Sequence, residues 1–188
     1  MINKFAVKLT GYIENNSKLN KLEELEQIQY AITTILNEFF KIMILIILFS
    51  IIGKLNYLLF SMIILLSIRL FSGGLHARTL LSCLLWTILF FTLTSIIAPL
   101  LPKLNQYIYY GLSLLNLVVI IVQAPYPNPI RPIKKKKRKQ YLKILAISFS
   151  IFWTYIILFY INDSSYLNCG IATILLLSSQ LIYTKEEV

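Results

Sequence analysis

Charge is scarce in this chain. Of its 188 residues, 14% are Asp, Glu, Lys or Arg, against about 25% in soluble domains. Acidic residues are fewest, eight against eighteen basic ones, and there is one histidine and two cysteines. Each shortage excludes something. A lone His76 with Cys83 and Cys169 far apart in the sequence offers no zinc-ligand spacing. Two cysteines in unlike surroundings do not make a disulfide framework, and the usage fits a reduced thiol at or below a cytoplasmic face. There is no Gly-rich phosphate loop and no serine triad, so no metal and no cofactor are expected. Met1-Ile-Asn-Lys-Phe-Ala-Val-Lys8 has no apolar core followed by a small-residue cleavage site, and no cleavable signal peptide is expected.

What the chain has instead is apolar surface. It is 57% hydrophobic with a mean hydropathy of +0.73, more than a globule this small can bury, so lipid must cover the excess. Six apolar runs approach the roughly 20 residues that a bilayer requires. They are expected at 30–53, 55–71, 79–101, 106–123, 141–161 and 166–183 of a single membrane domain covering 1–188. Gly53-Lys-Leu-Asn56 separates the first two, Pro99 and Pro102 end the third, and Asn162-Asp-Ser-Ser165 separates the last two. Residues 125–140 read as a Pro- and Lys-rich loop, extended through Ala124–Pro132. Ile2, Phe5, Ala6, Leu9, Tyr12 and Ile13 share one face of an amphipathic helix over 2–14. Such a helix can lie in the headgroup plane or pack on the protein's own body.

The fold expected is therefore all-α and integral to the membrane: about six transmembrane helices plus an N-terminal interfacial helix. Basic residues set its orientation. One set of loops carries Lys54 and Lys103. The other carries Lys4, Lys8, Lys18, Lys21, Arg69, Arg78, Arg131, Lys134 to Lys137, Arg138, Lys139, Lys143 and Lys185. Both termini, the segment around His76 and the basic loop are expected to face the cytoplasm.

The segment Arg69-Leu-Phe-Ser-Gly-Gly-Leu-His-Ala-Arg-Thr-Leu-Leu-Ser-Cys83 holds the only histidine and one of the two cysteines. Histidine titrates near physiological pH, and a thiolate activated by a neighbouring base is a strong nucleophile. On an uninterrupted helix the seven residues from His76 to Cys83 would span about 10 Å. That is too far for a thiol–imidazole hydrogen bond of about 3 Å. A working pair needs a break, which Gly73-Gly74 makes possible. The competing reading is a cysteine packed in an apolar helix and an interfacial histidine. Arg69 ends an apolar run, where a charge is costly. It can pair with Glu38, hold a substrate carboxylate or stabilise an oxyanion, or it can snorkel to the headgroups. Glu38 and Lys41 are three apart in the first span and can pair with each other. Cys169 reads as packing.

Lys134, Lys135, Lys136 and Lys137 head a basic run continuing through Lys143. Its place between two spans argues against nucleic acid. It reads as a topology anchor on anionic lipid, or as the receptor for an acidic segment of a peptide substrate.

The pattern Arg69-x-x-x-Gly73-Gly74-x-His76-Ala77 followed by Cys83 resembles the signature of the accessory gene regulator protein B (AgrB) family. The likeness covers nearly the whole chain. It includes the length, the amphipathic N-terminus and the Ala-Pro-x-x-x-Asn-Pro-Ile segment leading into a lysine-rich loop. It implies a multi-pass cell-membrane cysteine endopeptidase of quorum sensing that cleaves the acidic C-terminal tail from an AgrD-like propeptide. Cys83 would be the nucleophile and His76 its base. The peptide would be held as a Cys83 thioester until an internal thiol or hydroxyl closed a thiolactone or lactone ring. The resemblance also implies a homodimer. It supplies no third catalytic group, and Asn37, Glu38, Ser72 and Arg69 stand as candidates. The competing classes are a peptide or ion transporter with His76 as proton relay, against which the chain shows no internal repeat, and a non-catalytic membrane adaptor.

Overall fold

The computed structural model describes residues 7–13, 22–73, 80–126 and 136–183. Among these the regular structure is helical, with no strand. Six helices are long and apolar enough to cross a membrane. The chain forms two compact units, Met1–Ile51 and Ile52–Val188.

The first unit contains α1 (residues 7–13) and α2 (Leu22–Ile51). Residues 2–6 and 14 of the expected amphipathic helix lie outside the described residues. The apolar part of α2 runs from Ile28 to Ile51, but the helix starts at Leu22. The Glu, Leu and Gln residues that precede the span are good helix formers, and hydropathy decides only which turns enter lipid. Lys41 donates to Glu38 Oε1 one turn away, which lowers the cost of placing either charge in an apolar span.

The second unit holds α3 (Leu55–Ser72), α4 (Leu80–Thr92), a π-helical turn (Leu93–Ile97), α5 (Ala98–Leu100), α6 (Gln106–Gln123), α7 (Lys136–Phe159) and α8 (Ser164–Tyr183). Together α4, the π turn and α5 make the third span. On α3 the buried residues Leu58, Ser61, Leu65, Ile68 and Ser72 fall at alternating three- and four-residue steps, the spacing of a helix–helix seam. The helix α8 is the hub: it packs on α3, α5, α6, α7 and the π turn. Its Gly170 allows a close approach to α7, since a Cβ there would stand 2.7 Å from Ile157 Cδ1.

Lipid tails are as apolar as leucine, so polar contacts and close packing must hold such helices together. Ser61 of α3 bonds Thr94 of the π turn at 3.0 Å and Thr173 of α8 at 2.8 Å. Asn168 of α8 donates to Leu101 O at 2.9 Å and accepts from the Tyr109 hydroxyl of α6. Ser178 of α8 donates to Asn116 Oδ1 of α6 at 2.7 Å. Against α7, Trp153 donates to Ser67 Oγ of α3 at 2.6 Å, and Phe149 stacks on Phe71 with ring centroids 5.2 Å apart.

Candidate functional site at the basic end of the bundle

The helix α3 ends where its sequence turns to glycine. Gly73 has φ +74° and its N–H closes the last turn on Arg69 O at 3.0 Å. Glycine adopts that left-handed conformation without penalty. The chain therefore leaves the helix ahead of the histidine segment. Gly74, His76, Arg78, Lys134 and Lys135 lie outside the described residues. Arg69, Gly73, Cys83, Glu38, Lys136 and Lys137 lie within them.

Cys83 sits in the first turn of α4, half-buried and not in a disulfide. Thr87 donates to the Cys83 carbonyl at 2.7 Å. Beside it Leu81, Ser82, Leu85, Trp86 and Leu89 line a shallow, mainly apolar trough on the face of α4. Trp86 is one turn from Cys83 on the same side of the helix.

The Ser61–Thr94 hydrogen bond fixes the register between α3 and the third span. Eleven residues separate Ser61 from Ser72, and eleven separate Thr94 from Cys83. At 1.5 Å per residue both lie about 16 Å from that bond. Cys83 and the end of α3 thus lie on the same side of that bond in the chain, joined through residues 73–79. The register of α7 follows from its two contacts with α3: Phe71 with Phe149, and Ser67 with Trp153, each four residues further along. Ser72 is thus level with Ser148 of α7.

A third element reaches the same depth. After α6 the chain is extended at Ala124, the Ala124–Pro125 peptide bond is cis, and Tyr126 donates its N–H to Ser72 O at 2.9 Å. A Cβ on Gly73 would stand 2.8 Å from Tyr126 O. The backbone that opens the Pro-rich connector is therefore pinned to the last turn of α3. Also at this end, Arg69 Nη1 donates to Gln180 Oε1 of α8 at 3.5 Å. Glu38 belongs to the first unit, where Lys41 takes its carboxylate.

Among the described residues no group of His, Cys, Asp and Glu is placed to hold a metal ion. Cys169 is fully buried on α8, with its thiol 3.7 Å from Tyr57 O, a packed group remote from the basic end. Two contributors escape sequence reading. Gln180 carries a weak signal, a polar residue in an apolar helix on the same side of the membrane as Arg69. Tyr126 takes part through its backbone and carries none.

The structure is that of a helical protein with six helices long and apolar enough to cross a membrane. The family model described as accessory gene regulator B matches residues 6–182, and the chain belongs to that family. It is 37% identical to an AgrB-like protein of Clostridium beijerinckii, over 100% of this chain and 92% of the relative. It is 30% identical to AgrB-like protein 1 of Clostridium perfringens, over 98% and 97% respectively. With the accessory gene regulator protein B of Staphylococcus saprophyticus the identity is 25% over the whole of both chains. No solved structure matches.

Proposed function

We propose that this chain is a cell-membrane cysteine endopeptidase that removes the C-terminal tail of an AgrD-like propeptide at the cytoplasmic face. Membership of the accessory gene regulator B family supports a role in processing a quorum-sensing peptide. The finer assignment gives the reaction to Cys83 and His76. The thiol passes its proton to the imidazole and the sulfur attacks a peptide carbonyl. The C–N bond then breaks, and the departing amine takes the proton from His76. The peptide remains as a Cys83 thioester. A thiol or hydroxyl within the peptide attacks that thioester, frees Cys83 and closes a thiolactone or lactone.

The observation that carries the reading is the end of α3 at Gly73, where the chain leaves the helix and enters the His76 segment that leads to Cys83 in the first turn of α4. A thioester on Cys83 would form beside the apolar trough on α4. Excluding water favours ring closure over hydrolysis. Arg69 is suited to a substrate carboxylate or an oxyanion, with Glu38 a further candidate. The lysines from Lys134 to Lys137 are suited to an acidic tail. The enzyme acts as a homodimer within the bilayer.

The deciding experiment is intact-protein mass spectrometry of the full chain in liposomes with an AgrD-like propeptide. Wild type should gain a mass equal to the propeptide minus its tail. Cys83→Ala should gain none, and His76→Ala should gain it far more slowly. Released tail without any adduct on wild type would overturn the thioester route.

A further inference from the structure

Many hydroxyls in these spans bond along their own helix. Thr33, Thr34, Thr87 and Thr173 donate to the carbonyl four residues back, and Ser67, Ser178 and Ser179 to the carbonyl three back. Ser113 of α6 and Ser150 and Thr154 of α7 do not. Their hydroxyls, with Asn116 Nδ2 of α6, have no hydrogen-bond partner among the described residues. All of these side chains are buried, none more than 7% exposed. A buried polar group left without a partner bears the whole cost of its desolvation.

These groups share one seam. The helices α6, α7 and α8 pack on one another pairwise. The buried face of α6 is Tyr109, Ser113, Asn116 and Ile120. It turns to α8, where Tyr109 meets Asn168 and Asn116 meets Ser178. The buried face of α7 is Ala146, Ser150, Thr154 and Ile157, and Ile157 lies against Gly170 of α8. Phe149 and Trp153, on the adjoining face of α7, meet α3 instead.

The levels follow from these contacts. The helices α7 and α8 are joined by residues 160–163 and run in opposite directions. Eight residues lead from Gly170 to Ser178, and eight back from Ile157 lead to Phe149. Ser150 is therefore level with Ser178 and with Asn116, which Ser178 touches. About one turn away, towards the Gly170 end, lie Thr154 on α7 and Ser113 on α6. The seam holds two polar layers: Asn116 with Ser150, and Ser113 with Thr154. Ser178 has one hydrogen and two acceptors in reach, Leu175 O at 2.9 Å and Asn116 Oδ1 at 2.7 Å. Whichever it serves, one end of the Asn116 carboxamide engages Ser178 and the other faces the seam.

We propose that this seam is a hydration site inside the bundle, with a water molecule bridging α6 and α7 in each layer. Hydroxyls and a carboxamide both donate and accept, as water does. A buried water makes about three hydrogen bonds, so about two waters serve these groups. No charged side chain lies on α6 or α8, and those of α7 end at Lys143, about two turns short of Ser150. A neutral seam suits water and not an ion. It is the wet counterpart of the dry contact where Ser61 bonds Thr94 and Thr173 directly. The inference does not depend on the peptidase reading.

The test is thermal unfolding of the full chain in detergent, wild type against Thr154→Val, which keeps the branched shape and removes the hydroxyl. In a hydrated layer the water loses a partner, and the melting temperature should fall by about 3 °C. In a dry seam the change relieves an unpartnered hydroxyl, so an unchanged or higher melting temperature would overturn the proposal. Ser113→Ala should also lower it, and both changes together by less than their sum, because one water serves both groups. Strict additivity would count against the shared water. The melts are repeated with choline chloride in place of sodium chloride at equal ionic strength. A wild-type loss in choline that Thr154→Val abolishes would assign the seam to a cation, and the water proposal falls. If Thr154→Val does not fold, wild-type protein with isotope-labelled asparagine decides. Magnetisation transfer from water to the Asn116 carboxamide, identified by its disappearance in Asn116→Ser, supports the site, and no transfer overturns it.

Discussion

Gly73 and Tyr126 meet backbone to backbone. The glycine sits at φ +74°, and a Cβ on it would lie 2.8 Å from the Tyr126 carbonyl oxygen. Tyr126 in turn donates to Ser72 O. Any side chain at position 73 must displace the start of the Pro-rich connector.

Gly53 provides the control for that statement. It has φ +72° but open space around it. Gly53→Ala should cost only the backbone strain, about 1 kcal/mol. Gly73→Ala carries the same strain plus the collision, and should cost about 2–4 kcal/mol. Thermal unfolding of both variants in detergent measures the difference. Equal losses would mean that the connector yields freely and the clasp contributes little.

The two cysteines should behave in opposite ways. Cys83 is half-buried while Cys169 is fully enclosed. A maleimide should therefore label Cys83 first. Cys83→Ala should abolish the peptide adduct with a stability change within about 0.5 kcal/mol. Cys169→Ala should keep the adduct and lose about 1 kcal/mol from its small cavity. Mass spectrometry reads both the label and the adduct. Rapid labelling of Cys169 would contradict its packed position against Tyr57.

Hydropathy made the six spans legible, because the cost of exposing apolar residues to water is a property of composition along the chain. Helix ends were less so. The helix α7 begins at Lys136, five residues before the expected start of its span, because lysine and arginine favour helix while opposing lipid. The π turn at Leu93–Ile97 interrupts a run whose composition is uniform, and nothing local announces it. At the basic end, Cys83, Gly73 and Arg69 stood out by residue type alone. Their neighbours did not, because these depend on which groups meet across helices, as Arg69 meets Gln180. Tyr126 could not be found at all, since a backbone donor leaves no trace in the side-chain pattern. The expectations on His76, Gly74, Lys134 and Lys135 fall outside the described residues.

Arg69 and Gln180 allow a structural role to be separated from a binding one. Gln180→Glu places a carboxylate where Arg69 now donates to an amide oxygen at 3.5 Å. The new ion pair should raise the unfolding temperature, because a charged acceptor strengthens the bond. If Arg69 also holds a substrate carboxylate, the same change should raise KM several-fold by competing for the guanidinium, with little effect on kcat. Steady-state cleavage kinetics and a melting curve on one preparation settle it. A higher melting temperature with unchanged KM would leave Arg69 with a purely structural part.

The register between α3 and the third span depends on Ser61, the hydroxyl that meets both Thr94 and Thr173. Interhelical hydrogen bonds inside a membrane contribute about 0.6 kcal/mol on average and up to about 2. Ser61→Ala removes two of them, so it should cost about 1–3 kcal/mol. Thr94→Ala removes one, and the double variant should cost less than the two single losses added, because the Ser61–Thr94 bond is counted in both. Urea unfolding in mixed micelles gives the coupling. The functional consequence should be graded. The helices stay packed through Trp153, Phe149 and Gly170, so Ser61→Ala should slow cleavage several-fold without abolishing the adduct. Strict additivity of the two variants would show that the hydroxyls do not bond across the helices, and the register between α3 and the third span would lose its anchor.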